Sequence, residues 1–397
     1  MCLLGIQENP VSSFTPIIPC KCSVSSATMP SIPTISSVSE YNDLLTARRC
    51  SSGAMAIAAM YNSYVGRILV GDSAALFTIP VDDHIVVRGH AVFDTATIVD
   101  GFLYRHRVHI DRLFESAEKA GLDLQFLVES EEKDNLEKQK DAVEDIEKQL
   151  AKAGGVKNGM IRLWLTAGPG NLGVSKAGCQ TTLYAICYRG NPWNYFGSGE
   201  GGMEPGWVER IEGIKECTVS ERYPMKGKVL ATMKSSNYLV NALGCTEAVE
   251  GGGHYGIWVD QATGEVYEAS VRNVVFVLNS GVLITPPYSG DGSKILKGCT
   301  VRRIVELAVE HLLDKEMEGI TLKKVVTDTV VYKNDLLDAG IAEMFLVSGD
   351  THLDPVTTWD DLCIGDGKPG PVFKTLAQLL YDEAVGGASP YHQEIEY

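Results

Sequence analysis

The sequence predicts an α/β protein of two domains, and three observations carry that prediction. Its 397 residues suffice for two separate cores. Short apolar runs bounded by turn residues alternate with longer stretches of helical spacing. A segment rich in Gly, Pro and aromatic residues divides the chain near its middle. The bulk composition agrees, since 45% hydrophobic and 22% charged residues are the proportions of an ordinary globular chain.

Residues 1–51 stand apart. Ser, Thr and Pro dominate there, no Arg precedes Arg48, and hydrophobic periodicity is absent. The segment reads as a disordered leader or an organelle transit peptide. A smaller N-terminal domain spans 52–190. Strands are predicted at Ile68-Leu69-Val70, Ile85-Val86-Val87 and Phe102-Leu103-Tyr104, and a helix carries His109, Leu113 and Ala117. A second, highly charged helix sets Leu136, Val143, Ile146 and Leu150 on one face and reads as a solvated surface element. Strands resume at Ile161-Arg162-Leu163-Trp164-Leu165 and Leu183-Tyr184-Ala185-Ile186. Residues 191–204 form the linker. The larger C-terminal domain, 205–397, holds helices near 238–249, 301–313 and 372–383, with strands near 256–259 and 274–278.

Charge and cysteine content exclude several functions. A formal charge of -16 disfavours nucleic acid and anionic membrane as partners, because both demand a basic surface. A small anionic substrate would need a local basic pocket. The ten Cys show no CxxC spacing and HExxH is absent, so neither a metal site nor a disulfide framework is predicted. No apolar run is long enough to span a bilayer. These features predict an intracellular soluble protein; they do not choose among plastid, mitochondrion and cytoplasm.

Gly197-Ser-Gly199-Glu-Gly-Gly202 satisfies the dinucleotide-binding string G-x-G-x-x-G. Its context rejects it, because the fingerprint needs a buried strand before it and a helix N-terminus after it, and Met203-Glu-Pro-Gly cannot open a regular amphipathic helix. More informative is Met233-Lys234-Ser235-Ser236-Asn237-Tyr238, where one Lys among small polar residues precedes a helix. A lysine at a helix start is usually a solvated residue, and only desolvation makes it a useful nucleophile. Further on, Glu268-Ala269-Ser270-Val271-Arg272-Asn273 leads into an apolar strand, and Leu296-Lys297-Gly298-Cys299-Thr300 opens a helix. Gly-x-Thr at a helix start offers N–H groups and a hydroxyl to a phosphate, or serves as a simple N-cap.

The ordered motifs Lys-Ser-x-Asn-Tyr, Glu-x-Ser-x-x-Asn-Val and Leu-x-Gly-x-Thr resemble those of the class IV (fold type IV) aminotransferases. Upstream, Arg88-Gly89-His90-Ala91-Val92-Phe93-Asp94-Thr95 and His109-Ile110-Asp111-Arg112-Leu113 are similar to that family's N-terminal signatures. The similarity runs from about Pro80 to the C-terminal helix and is nearest to plant-type D-amino-acid aminotransferase-like proteins. The resemblance implies pyridoxal 5'-phosphate as cofactor, carried by Lys234, with Glu268 facing its ring nitrogen and Arg112 and Thr300 at its phosphate. It also implies cofactor contacts for Tyr238, Asn273 and Cys299. Chemistry fits these roles: a carboxylate favours a protonated ring nitrogen, and Arg presents a fork that matches phosphate.

Substrate selection follows less directly. Bacterial D-specific members place an Arg-Gly after the strand where this chain has Thr166-Ala167-Gly168. Arg162 resembles an Arg of the branched-chain enzymes and stands as the candidate for the substrate carboxylate. Phe93 and Thr95 join it, the latter resembling a Thr of aminodeoxychorismate lyases. Gly349, Asp350 and Thr351 occupy the place of a loop that closes near the substrate carboxylate. The implied activity is amino transfer between an amino acid, with a D-amino acid as first choice, and a 2-oxo acid. Alternatives are aminodeoxychorismate lyase activity, branched-chain L-amino-acid transamination, and a non-catalytic interaction protein. The resemblance also implies a homodimer with interdomain active sites bordering the subunit interface.

Overall fold

In the computed structural model, which describes residues 34–51, 56–71, 73–190, 206–349, 352–386 and 389–397, the chain folds around two large sheets. The first contains β1 (Ile57–Asn62), β2 (Arg67–Val70), β3 (Ala91–Val99), β4 (Phe102–Tyr104), β5 (Gly159–Thr166) and β6 (Thr182–Arg189). The second contains β7 (Ile214–Glu216), β8 (Ile257–Val259), β9 (Val266–Ala269), β10 (Arg272–Leu278) and β11 (Val282–Ile284). After a small hairpin of β12 (Glu316–Met317) and β13 (Ile320–Thr321), it is completed by β14 (Lys324–Val326), β15 (Ile341–Ser348), β16 (Leu353–Trp359) and β17 (Leu362–Cys363). The last strand, β18 (His392–Glu394), returns to the first sheet and pairs with β4, giving the order β18-β4-β3-β5-β6-β1-β2. The C-terminal residues therefore belong with the N-terminal sheet, which corrects a boundary that ran the second domain to residue 397.

Helices α1 (Val38–Ser51), α2 (His84–Val87), α3 (His106–Lys119) and α4 (Leu136–Gly154) accompany the first sheet. Ile110, Leu113 and Ala117 of α3, with Val143 and Leu150 of α4, pack on Val92, Ala96, Ile161 and Leu163. Full burial of each Leu or Ile contributes roughly 1.5–3 kcal/mol. The opposite edge of this sheet enters a second core, where Val99 and Tyr104 meet Phe345, Phe373 and Trp207. That core is covered by α7 (Cys299–Leu307) and α9 (Pro371–Val385); α5 (Lys228–Ala231), α6 (Leu239–Glu250) and α8 (Lys333–Ala339) lie elsewhere around the second sheet.

Three local expectations need adjustment. The leader was expected to be disordered through residue 51, but α1 is helical, and Asn42 Oδ1 accepts hydrogen bonds from Ser73 and from the N–H of Ala75. Leu136 at the start of α4 is half exposed, although Val143 and Leu150 on the same helix are buried. The linker, 191–204, lies outside the described residues with Gly197-Ser-Gly199-Glu-Gly-Gly202, and Trp207 beyond it is a core residue packed against Tyr381. Finally, Ile85-Val86-Val87 is a short helix where a strand was predicted.

Asp83 accounts for that last difference. Its buried carboxylate accepts the N–H of Ile85 at 2.9 Å as an N-cap, and the hydroxyls of Thr166 at 2.6 Å and Tyr184 at 2.8 Å. These tertiary bonds outweigh the strand preference of three β-branched or aliphatic side chains. The adjoining turn requires glycine at 168, where φ is +91° and an added Cβ would lie 1.6 Å from the carbonyl of Gln180. Asp83→Ala, which strands three donors, is expected to lower stability to urea by about 3 kcal/mol. A loss within experimental error of zero would show that Asp83 does not hold this corner.

Candidate active site

The sequence motifs converge where the two sheets approach. Lys234 lies in the segment between α5 and α6, and that segment is stitched to β3. The N–H of Phe93 donates to the Lys234 carbonyl at 2.8 Å, the N–H of Ser236 donates to the Ala91 carbonyl at 2.9 Å, and Val92 and Ser235 form an antiparallel bridge. The Lys234 N–H donates to Ser116 Oγ of α3 at 3.1 Å. With its backbone fixed on both sides, the side chain extends over Phe93, placing Nζ 4.6 Å from the ring centroid. Tyr238 meets the same ring edge-on at 5.3 Å.

One pocket is lined by Arg112, Lys226, Lys234, Tyr238, Glu268, Asn273, Gly298 and Gly349. Glu268, at the end of β9, is buried and accepts the N–H of Leu296 at 3.1 Å. Burial raises its pKa to about 7, while Lys226, the Leu296 N–H, Lys234 and Arg112 pull it back. Asn273 on β10 donates from Nδ2 to the Leu296 carbonyl at 3.1 Å. Gly298 packs so closely that an added Cβ would lie 1.9 Å from Asn273 Oδ1, so the chain entering α7 can reach the pocket only without a side chain there.

Arg112 is buried and held from behind. Its Nε and Nη2 donate to Asp94 Oδ2 and Oδ1 at 2.8 and 2.7 Å, and Nη1 donates to the Lys297 carbonyl at 3.3 Å. His109 Nδ1 completes the cluster 2.8 Å from Asp94 Oδ1. Burial would raise the Asp94 pKa, but Arg112 and His109 hold it well below the ordinary carboxylate range. Asp94 is thus ionised at any working pH, and Arg112 keeps hydrogens on Nη1 and Nη2 for a further acceptor. Gly349, at the end of β15, adjoins it, with an added Cβ 3.6 Å from Nη2.

These residues fit pyridoxal phosphate by their donor set. Lys234 offers an amine, Glu268 a carboxylate for a cationic ring nitrogen, and Arg112 a guanidinium beside the start of α7 for the phosphate. Gly298 keeps the wall of the pocket beside Asn273 free of a side chain that would clash there.

The remaining candidates fall in three places. Thr95 and Arg162 are cross-strand partners on β3 and β5, and Arg162 Nε donates to Thr95 Oγ1 at 3.1 Å. Arg162 lies toward the Lys234 side of the sheet, its guanidinium 5.5 Å from the Phe93 ring centroid. Cys299 and Thr300 occupy the first turn of α7 but line a neighbouring cavity and not the Lys234 pocket. Asp350 and Thr351 lie outside the described residues. Gly349 adjoins Arg112, the phosphate candidate, where the loop had been expected near the substrate carboxylate.

Sequence reasoning missed Lys226, whose Nζ sits 4.9 Å from the Tyr238 ring centroid. Nothing in Pro224-Met225-Lys226-Gly227 separates it from a surface lysine. Asp94 and His109 were also missed as partners of Arg112, although both stand inside the quoted signatures. A charged residue in the middle of an otherwise apolar strand was the available signal. Among the described residues no helix is long and apolar enough to cross a membrane, and no group of His, Cys, Asp and Glu is arranged to hold a metal ion.

The sequence matches the family described as Amino-transferase class IV over residues 91–349. It is 35% identical over 368 residues to a D-amino-acid transaminase, chloroplastic, of Arabidopsis thaliana, covering 92% of this chain and 86% of that one. It is 27% identical over 305 residues to a putative branched-chain-amino-acid aminotransferase of Methanocaldococcus jannaschii, covering 77% and 90%. The fold is similar to the T.th. branched-chain amino acid aminotransferase with pyridoxamine 5'-phosphate, with TM-score 0.67, 19% identity, and 86% and 100% coverage. The Escherichia coli branched-chain enzyme gives 0.66, 22%, and the same coverage.

A pH experiment follows from the burial of Glu268. Its folded pKa lies above that of a free glutamate, so the stability it contributes is present below about pH 4.5 and is lost as pH rises through about 7. Between pH 5 and 8, cofactor-free Glu268→Gln should gain about 2 kcal/mol on the parent protein in urea unfolding. Parallel pH profiles would remove Glu268 as the buried titrating group.

Proposed function

The chain belongs to the class IV aminotransferases, and from that premise we propose that it takes a D-amino acid as donor and works through Lys234, Glu268, Arg112 and Arg162. It is a pyridoxal-phosphate enzyme that transfers an amino group between an amino acid and a 2-oxo acid. The convergence of a lysine, a buried carboxylate and a buried arginine on one pocket carries the reading of the site. The likeness across 92% of the chain to a protein named D-amino-acid transaminase supports the donor.

When bound, pyridoxal phosphate supplies a sink for the electron pair left at the substrate α-carbon. Lys234 would hold the cofactor and move the α-proton through Nζ, a task that requires its neutral form. Glu268 would keep the cofactor's ring nitrogen cationic, because a buried carboxylate favours the protonated state of a neighbouring base. Arg112, backed by Asp94, and the N–H groups at the start of α7 bind the phosphate. Arg162 reaches Thr95 through Nε, leaving its terminal nitrogens to pair with the substrate carboxylate. Phe93, whose ring centroid lies 4.6 Å from Lys234 Nζ, would shield the lysine from water.

Thr95 supports a second reading. Its hydroxyl stands beside Arg162 on the pocket side of β3, where it could assist elimination from aminodeoxychorismate to give 4-aminobenzoate and pyruvate. Purified enzyme should convert D-alanine to its oxo acid faster than it converts L-leucine or releases pyruvate from aminodeoxychorismate. The reverse order would replace the proposed donor.

Two variants test the residue roles. Lys234→Ala should retain no cofactor on the chain after borohydride treatment, and a covalently trapped cofactor in that variant would overturn the central assignment. Arg162→Ala should cost about 2–4 kcal/mol in transition-state binding in the amino-acid half reaction, with the resting cofactor spectrum unchanged. Arg162→Lys should recover part of the loss, since it restores charge without the fork. Parental rates in both would return Arg162 to a structural role. The family resemblance supports a homodimer, and holoprotein sedimenting as a single chain at micromolar concentration would contradict it.

A further inference from the structure

Lys226 lines the cofactor pocket but takes no part in the chemistry assigned above. Its place is set on both sides. The Tyr223 carbonyl accepts the Nε1–H of buried Trp258 at 2.8 Å, Met225 packs against the core under α7 and α9, and Gly227 is the N-cap of α5. Between these anchors the Lys226 side chain enters the pocket and places Nζ 4.9 Å from the centroid of the Tyr238 ring. Tyr238 meets Phe93 edge-on at 5.3 Å, and Lys234 Nζ lies 4.6 Å from the Phe93 centroid. Two ammonium groups therefore sit on a pair of contacting rings, at distances where an aromatic face attracts a cation.

The arginines of the pocket are matched and this lysine is not. Asp94 holds Arg112 at 2.8 and 2.7 Å, and Asp354 holds Arg272 at 2.7 Å, with the Tyr255 hydroxyl oxygen accepting a further bond from Arg272 at 2.8 Å. Lys226 makes no hydrogen bond and no ion pair among the described residues. Lys234 would give up its ammonium on taking the cofactor, which leaves Lys226 as the lasting unmatched cation. The carboxylate it can serve is Glu268, the one acidic side chain among the described residues of the lining. Glu268 is faced by Lys226 from the segment before α5, Lys234 from the segment after it, Tyr238 at the start of α6, Arg112 from α3 and the Leu296 N–H ahead of α7. Burial raises its pKa, and Lys226 is the largest opposing influence. No ion pair joins the two, so Lys226 works as a field. At an effective dielectric constant of about 20, a unit charge within roughly 10 Å moves a neighbouring pKa by about one unit.

We propose that Lys226 is a positioning residue that acts through Glu268: seated on the Tyr238 ring, its ammonium keeps the pocket carboxylate ionised and so ready for a cationic ring nitrogen. This role rests on the reading of Glu268 as the partner of that nitrogen. It requires charge and not a hydrogen bond, so arginine can fill the place and methionine, of similar length, cannot. Below the pKa of Glu268 in the empty site, binding the cation must first expel a proton, and affinity falls with pH. Lys226 thereby sets the acid limit of cofactor binding.

In cofactor-free protein labelled with carboxyl-13C glutamate, the resonance that disappears in Glu268→Gln should titrate near pH 7. Lys226→Met should move that midpoint up by about one pH unit, and Lys226→Arg should restore most of the shift. Pyridoxamine phosphate, which needs no bond to Lys234, reports the consequence by equilibrium dialysis. The pH at which its affinity begins to fall should rise in Lys226→Met by the same amount as the Glu268 midpoint. An unmoved Glu268 midpoint in Lys226→Met, an equal shift in Lys226→Arg, or a moved midpoint with the affinity break left in place would each overturn the role of Lys226 while leaving Glu268 as assigned. If Glu268→Gln removes no titrating resonance between about pH 5 and 9, the reading of Glu268 fails and the role of Lys226 fails with it.

Discussion

The site depends on a short run of backbone hydrogen bonds between the Lys234 segment and β3. Phe93 and Ser236 donate across it, and the Val92–Ser235 bridge sets the register. Because side chains alternate along a strand, this register puts Phe93 and Thr95 toward the lysine and Asp94 toward α3. A slip of one residue would exchange those faces, bringing a buried carboxylate beside Lys234 and removing the partner of Arg112. One ladder thereby positions the lysine and, through Asp94, the arginine on which the phosphate is proposed to rest.

That arrangement explains why so many charges are buried near β3. Arg112 is buried and, in the proposed role, would offer donors to a phosphate, so its charge needs a permanent partner on the side away from the pocket. Asp94 fills that role with a two-pronged contact, and His109 secures Asp94 in turn. Glu268 is treated differently. A single N–H supports it and no cation forms an ion pair with it among the described residues, so its proton is held to about pH 7. The contrast is useful, because Arg112 has its counter-charge before any ligand arrives whereas Glu268 would gain one only from the cationic ring nitrogen proposed to face it. Binding that cation would return the carboxylate to its ionised form.

Much of this was legible in the sequence, and the exceptions have physical causes. Lys234, Glu268, Asn273 and Arg112 stood in ordered motifs, and the structure gathers all four around one pocket. Periodicity located α3 and α4 because each buries one apolar face. Ile85-Val86-Val87 misled because its conformation is decided by Asp83, whose partners Thr166 and Tyr184 are distant in sequence. Leu136 misled because it stands at the first turn of α4, where the helix has not yet reached the core. Lys226 carried no signal, since its setting depends on the Tyr238 ring and on Glu268, neither of which its own neighbours reveal. The return of β18 to the first sheet was equally hidden, because a three-residue pairing leaves no periodic trace.

The net charge raises a last question, since the cofactor, the 2-oxo acid and the amino-acid carboxylate are anions entering a chain of charge -16. Screening settles much of it. At physiological ionic strength, exposed charges act over roughly 8 Å, so a distant acidic surface is nearly invisible within the pocket. Inside, Arg112 and Arg272 are matched by Asp94 and Asp354, which leaves Lys226 and Lys234 opposite one carboxylate, Glu268, which burial keeps partly protonated. Poorly screened by water, these cations set the local potential and make the pocket attractive to anions despite the overall charge. The same balance disfavours a long polyanion, which would span the acidic surface as well as the basic pocket. A molecule small enough to fit wholly inside meets more cations than carboxylates, which is the size selection that an amino-acid enzyme needs.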